Sequence, residues 1–189
     1  MKTTFISEKN TTNPLSLATH HYLTQLFPSS SQTTLYEVND ESLRPCIGCF
    51  SCWLKTPGTC AIKDLGQSIS SHFILDDVVT LITPIYYGAY SSAIKRVLDR
   101  NIPNIMPFFR KFKGEIHHAQ RYKKRATLFI IAYNEDLTSE EEANFLAITQ
   151  ANALNFDFPF YRVFICRTEE QIKEALTTVH TLISKEVLA

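Results

Sequence analysis

Short apolar runs rich in β-branched and aromatic residues recur along the chain, and longer stretches with a helical spacing of apolar positions lie between them. Thr3 to Ser7, Thr33 to Val38, Val78 to Ile85, Ala126 to Tyr133 and Phe158 to Cys166 read as five strands. Leu15, Ala18, Tyr22 and Leu26 share one face of a first helix that Asn13 or Ser16 can cap. Ile69, Phe73 and Ile74 mark a short second helix after Asp64, and Ser91 or Ser92 opens a third with Ile94, Val97 and Leu98 turned inward. Thr138-Ser139-Glu140-Glu141-Glu142 starts a fourth, because a hydroxyl cap precedes carboxylates that favour the positive end of the helix dipole. The last helix carries an apolar stripe from Ile172 through Leu176, Val179 and Ile183 to Val187.

Five strands alternating with five helices predict a three-layer α/β fold, a parallel sheet with helices on both faces. One domain spanning 1–189 is expected. Two insertions interrupt the alternation, a cysteine loop at about 39–63 and a His-His, basic loop at about 101–125. Ligands of open α/β sheets sit beyond the carboxyl ends of the strands, where strand order reverses. Candidate chemistry is therefore sought there.

Composition narrows the functions. Nineteen basic residues balance nineteen acidic ones in 189 residues, so no net field is available to hold nucleic acid or an anionic membrane. The N-terminus turns polar at Glu8, too early for an export signal, and no apolar run approaches the roughly 20 residues that span a bilayer. A cytoplasmic protein is the expectation. In a reducing compartment, clustered cysteines point to metal or redox chemistry more than to structural disulfides. Cys166, alone in an apolar run, reads as a small buried hydrophobe.

Four of the five cysteines, Cys46, Cys49, Cys52 and Cys60, fall within one loop, the first three separated by two residues each and the last by seven. Such spacing suits an iron–sulfur cluster, a zinc ion or a set of redox thiols, and spacing alone leaves all three open. The third strand ends in Thr83-Pro84-Ile85-Tyr86-Tyr87-Gly88. Pro84 takes the chain out of the ladder, the tyrosines offer aromatic surface, and Gly88 leaves room for a flat ring. The first strand runs into a loop of hydroxyl and amide residues before a helix N-terminus, a place suited to a phosphate, although neither GxGxxG nor GxxxxGK[ST] occurs. His117 and His118, followed by Tyr122 in a basic segment, are candidate proton donors over a substrate.

Taken together, Pro45 to Trp53, Pro57 to Asp64, and Thr83 to Gly88 followed by Ser92 to Arg100 resemble the flavodoxin-like NAD(P)H-dependent FMN reductases, in their iron–sulfur flavoprotein and multimeric-flavodoxin branch. The resemblance implies a five-stranded parallel sheet of order 2-1-3-4-5 with FMN where the order reverses between the first and third strands. It implies that Ser7, Lys9, Asn10, Thr12 and Ser16 hold the FMN phosphate, and that Thr83, Pro84, Ile85, Tyr86, Tyr87 and Gly88 line the isoalloxazine. Cys46, Cys49, Cys52 and Cys60 match the branch in spacing and would be ligands of a 4Fe–4S cluster beside the flavin. A nicotinamide nucleotide would be the reductant, a quinone, flavin or other small molecule the acceptor, and a homodimer or homotetramer the assembly. His117, His118 and Tyr122 would sit over the acceptor. The alternative is an iron–sulfur/flavin electron carrier or thiol redox sensor that works with a protein partner. The first loop departs from the family's usual Gly-Ser-Pro-Arg start, having Ser7-Glu8-Lys9 instead, and Tyr133-Asn134-Glu135-Asp136 after the fourth strand lacks glycine and is acidic.

Overall fold

A computed structural model describes residues 1–8 and 10–185. Lys9 and the Val187 end of the last apolar stripe lie outside the described residues. Five strands form the parallel sheet: β1 (Thr3–Glu8), β2 (Thr33–Val38), β3 (Val78–Tyr86), and, further along the chain, β7 (Thr127–Tyr133) and β8 (Tyr161–Cys166). Their order is β2-β1-β3-β7-β8, the expected 2-1-3-4-5, and a two-residue β4 (Ala89–Tyr90) folds back antiparallel onto the end of β3. The register places Thr3 beside both Thr33 and Val78, so the ends of β1 and its neighbours open on one edge.

Adjacent residues of β1 point to opposite, fully covered faces. Phe5 joins the core made with α1 (Pro14–Leu26) and α6 (Glu169–Ser184), whereas Ile6 joins the one made with α3 (Leu65–Leu75), α4 (Ser92–Asp99) and α5 (Ser139–Asn155). Such two-sided burial is why β3 and β7 read as continuous apolar runs. The helix starts are side-chain capped: Asn13 accepts from the Ser16 amide, Ser91 from Ile94, and Thr138 with Glu141 closes a reciprocal capping box.

Two expectations need correction. The last strand begins at Tyr161 rather than Phe158, because α5 exits through a Schellman turn. Asp157 takes a positive φ of 56° there, and the Phe158 amide donates to Ala153 O at 3.1 Å. The segment at 101–125 is no loop either. After a 3-10 turn (Ile102–Asn104) it forms an antiparallel hairpin, β5 (Ile105–Phe112) and β6 (Glu115–Gln120), outside the main sheet. Lys113 and Gly114 turn the hairpin with positive φ at both positions, the twist that two-residue hairpin turns require. The cysteine segment holds one single-turn helix, α2 (Ser51–Leu54).

Candidate functional site

A cavity of about 240 Å³ opens where β1 runs into α1, lined on the β1 side by Ser7, Glu8, Asn10 and Thr11, on α1 by Ser16 and His20, and on the sheet by Glu37, Ile82 and Tyr133. Its wall is shaped by Asn10, whose Oδ1 accepts from the Thr12 amide (3.0 Å), the Thr12 hydroxyl (3.0 Å) and the Asn13 amide (3.2 Å). This Asx arrangement replaces the glycines of a conventional phosphate loop and presents α1 with its positive end toward the cavity. Ser7 reaches Tyr36 O at 3.4 Å, and burial, opposed by a hydrogen bond with Ser16, pushes the Tyr133 phenol up to about 12. Of the residues assigned to a phosphate by resemblance, Ser7, Asn10 and Ser16 line this cavity, Thr12 supports its wall through Asn10, and Lys9 is not described.

The turn after β3 meets the same loop. Tyr86 is 43% exposed and lies beside Asn10 and Glu8; burial and Glu8 raise its phenol pKa while Asn10 opposes them. Tyr87, with φ of 52°, is 94% exposed. Thr83, Pro84 and Ile85 are buried, the Thr83 hydroxyl being spent on Pro84 O at 2.8 Å, so only their backbone can face a ligand. Gly88 corrects the expectation of a bare surface for a flat ring. Its φ is 73°, and an added Cβ would stand 3.0 Å from Asn144 Cβ and 3.1 Å from Glu141 O, so the missing side chain lets the turn pack on α5.

The cysteines gather elsewhere. Cys46, Cys49, Cys52 and Cys60 line one mostly apolar cavity of about 150 Å³ against the end of α4, and it shares no lining residue with the first cavity. Cys52 is buried, and burial, with the three neighbouring thiols adding, raises its pKa; hydrogen bonds from Ser51 lower that of exposed Cys49. Among the described residues no three His, Cys, Asp or Glu side chains stand together so as to hold a metal ion. The four thiols nonetheless line one cavity.

Arg100 fastens this loop to the body. It is 1% exposed, and its guanidinium donates to both Asp64 oxygens at 2.8 and 2.9 Å, to Arg44 O at 2.8 Å and to Ile62 O at 3.1 Å. A bidentate pair with two extra carbonyl acceptors satisfies most of the donors that burial would otherwise orphan. Burial alone would raise the Asp64 pKa, but Arg100 and the amides of Arg44 and Gly66 outweigh it and hold the carboxyl below its usual range.

Neither hairpin histidine lines the first cavity, and His118 packs against the cysteine loop. His118 donates from Nδ1 to Met106 O at 2.8 Å, and its ring lies 4.7 Å from that of Phe109 and 5.1 Å from that of Trp53. His117, on the opposite face of β6, pairs with Glu115 at 2.9 Å. Tyr122 stands over Gly58, where an added Cβ would clash with its hydroxyl. Sequence reasoning did not single out Glu8, whose Oε2 is buried without a hydrogen-bond partner, or the joint role of Arg100 and Asp64. The only signal for Glu8 was its departure from the family's first loop.

No family model matches the chain. An iron–sulfur flavoprotein of Methanocaldococcus jannaschii is 32% identical over 96 residues, 51% of this chain and 47% of that protein, so the match spans about half the length of this curated relative. Among solved structures, an NAD(P)H:quinone oxidoreductase from Methanothermobacter marburgensis superposes with a TM-score of 0.63 at 8% identity, over 96% of this chain and 94% of that one. An FMN-dependent NADH-azoreductase from Bacillus anthracis, solved in complex with FMN, does so with a TM-score of 0.56 at 13% identity, over 98% and 99%. The chain therefore has the flavodoxin-like fold of these reductases, and its resemblance to iron–sulfur flavoproteins is carried by a partial sequence match as well.

Proposed function

We propose that the protein is an FMN-binding oxidoreductase that takes reducing equivalents from NAD(P)H and delivers them to a quinone, flavin or other small acceptor. One observation carries the reading: the hydroxyl- and amide-lined cavity at the end of β1 and the exposed Tyr86-Tyr87 turn at the end of β3 converge through the Asn10–Tyr86 contact, at the point where strand order reverses. The donor set fits a phosphorylated, polyhydroxylated ligand. Ser7, Thr11, Ser16 and the N-terminal end of α1 supply donors. A flavin held there would supply the redox chemistry between a nicotinamide nucleotide and the acceptor. The chain orients it: Asn10 holds the loop open, Tyr86 and Tyr87 offer aromatic surface at the rim, and the buried Thr83-Pro84-Ile85 backbone fixes the turn.

The localisation and assembly expected from the sequence, a cytoplasmic homodimer or homotetramer, belong to this proposal. Among the described residues no helix is long and apolar enough to cross a membrane. Of His117, His118 and Tyr122, the last two would meet an acceptor from the cysteine-loop side, and His117, on the opposite face of β6, would not share that surface. The test is reconstitution: purified protein incubated with FMN should retain it and oxidise NAD(P)H in the presence of a quinone. Neither retention nor turnover with any acceptor would refute the reading.

A second reading, an electron carrier or thiol redox sensor working with a protein partner, is favoured by the four thiols around one cavity and the partial match to an iron–sulfur flavoprotein. Iron and sulfide analysis of anaerobically purified protein, paired with thiol counting, tests it. Iron-free protein with unreactive thiols would eliminate it.

A further inference from the structure

We propose that the outer face of α5 is the surface on which two copies of this chain pack, antiparallel about a two-fold axis that passes beside Ala147. The inference rests on the assembly proposed above, to which it gives a surface, and it does not require a bound flavin.

α5 turns Phe145, Thr149 and Ala153 toward the sheet, a single row at helical spacing. Its opposite side carries Ala143, Asn144, Ala147 and Ala151, all exposed, with exposed Leu146 and Ile148 on the two flanks. No charged residue occurs anywhere in 143–156. A helix that lies on a sheet with its other side in water ordinarily carries charges there, and α6 does so with Glu169, Glu170, Lys173 and Glu174. α5 has no such face beyond its first turn. Depletion of charge on an exposed face is what the centre of a protein interface shows.

The charges at the two ends of α5 name the occupant. Glu135, Asp136 and Glu140 are exposed at its start. At its far end the hairpin turn comes alongside, where Phe112 and exposed Lys113 line a cavity of about 230 Å³ together with Gln150, Ala153 and Leu154. Glu140 and Lys113 form no ion pair among the described residues, the Lys113 ammonium lying over the Phe112 ring instead. Within one chain they stand apart, because the 17 residues of α5 span about 25 Å. Ala147 is the midpoint of α5, and Glu140 lies as far before it as Leu154 lies after it. Antiparallel pairing about that midpoint therefore sets Glu140 of each copy against Leu154 and Lys113 of the other, twice by symmetry. Alanines at the crossing let the helix axes approach to about 8 Å, and a shallow crossing near about 20° keeps the charged ends within reach. The opposed helix dipoles act in the same sense. A partner of one charge sign would suit only one end, whereas a second copy suits both.

Sedimentation equilibrium from about 1 µM to about 100 µM tests the proposal on the full-length wild type, Ala147→Arg, Glu140→Lys, Lys113→Glu and the double variant Glu140→Lys/Lys113→Glu. Thermal unfolding verifies that each is folded, and FMN retention is scored on the same samples. The wild type should self-associate. Ala147→Arg sets two guanidinium groups against each other across the axis and should abolish this contact, leaving a dimer as monomer or a tetramer as dimer. Each single charge reversal creates two like-charge contacts and should weaken association about tenfold, and the double variant should return to within about threefold of the wild type. A fold defect at either position would not be rescued in that way. A wild type that stays monomeric throughout would leave the face to another occupant and overturn the proposal, as would Ala147→Arg associating as the wild type does. Charge reversals without rescue would overturn the antiparallel arrangement. FMN retained by a monomeric protein would leave the flavin reading standing, and FMN lost from an intact assembly would strike the flavin reading alone.

Discussion

The two cavities of this molecule treat a carboxyl group in opposite ways. At the end of β1, Glu8 is half-buried with one oxygen, Oε2, that has no hydrogen bond among the described residues, and burial raises its pKa. At the cysteine cavity, Asp64 accepts from both arms of the Arg100 guanidinium and from the Arg44 and Gly66 amides, and its pKa is held down. A fully partnered carboxylate is a fastener, and here it ties an irregular segment to α4. A carboxyl with one buried oxygen left without a hydrogen bond is destabilised in its charged form instead. The contrast separates a carboxyl that fastens one segment to another from one whose charge its surroundings oppose.

Arg100→Met should break the fastener most severely. It leaves Asp64 and two carbonyls without their donors, and the expected loss is about 3–5 kcal/mol, measured by urea unfolding. The first cavity should survive in the folded fraction, so FMN affinity measured below the unfolding transition should stay within about twofold. Gly88→Ala comes next, at about 2 kcal/mol or more, because a side chain at positive φ is strained and its Cβ would press on α5 backbone 3.1 Å away. Loss of this turn should also displace Tyr86 and Tyr87 and weaken FMN.

Acid sharpens the comparison because the two carboxyls carry opposite signs. With its folded pKa depressed, Asp64 contributes stability that is present above its unfolded pKa and lost as pH falls through the folded value; Asp64→Asn should therefore cost most near neutrality and least in acid. Glu8 has a raised folded pKa, so its penalty is absent below the unfolded pKa and grows as pH rises toward the folded one. Glu8→Gln should gain relative to wild type over that rise, by about 1 kcal/mol or less, readable as a Tm difference across a pH series. Asn10→Ala should cost about 1 kcal/mol in stability at any of these pH values, since its three hydrogen bonds lie in a partly exposed loop.

The centre of the sheet was legible because β3 and β7 are covered on both faces: both are mostly apolar and buried along nearly their whole length. Helix starts were legible for a local reason, since Asn13, Ser91 and Thr138 cap within three residues of themselves. The hairpin was not. Arg110 and Lys111 give β5 the look of a solvated basic loop, although Lys113-Gly114 is a turn signal that could have revealed it. Nothing local marks Arg100 and Asp64 as partners, since 36 residues separate them and the pair exists only in the folded chain. Gly88 shows how a residue type suggests a role without specifying the neighbour: its freedom serves contact with α5. For the candidate site, the first loop and the β3 turn were placed together by strand order, which is a property of the fold. The cysteines were grouped correctly by spacing, but their seat against α4, apart from the first cavity, depends on Arg100 and Trp53 contacts that no spacing encodes.

The central claim, that flavin chemistry belongs to the first cavity and not to the thiol cavity, is tested most directly by one titration. FMN is added to the wild type, to a protein with Cys46, Cys49, Cys52 and Cys60 all replaced by serine, and to Tyr86→Ala/Ser16→Ala. The serine protein should bind FMN as the wild type does, and the double variant should lose on the order of a hundredfold in affinity, about 2.7 kcal/mol. Loss of FMN from the serine protein with full retention by the double variant would contradict the account.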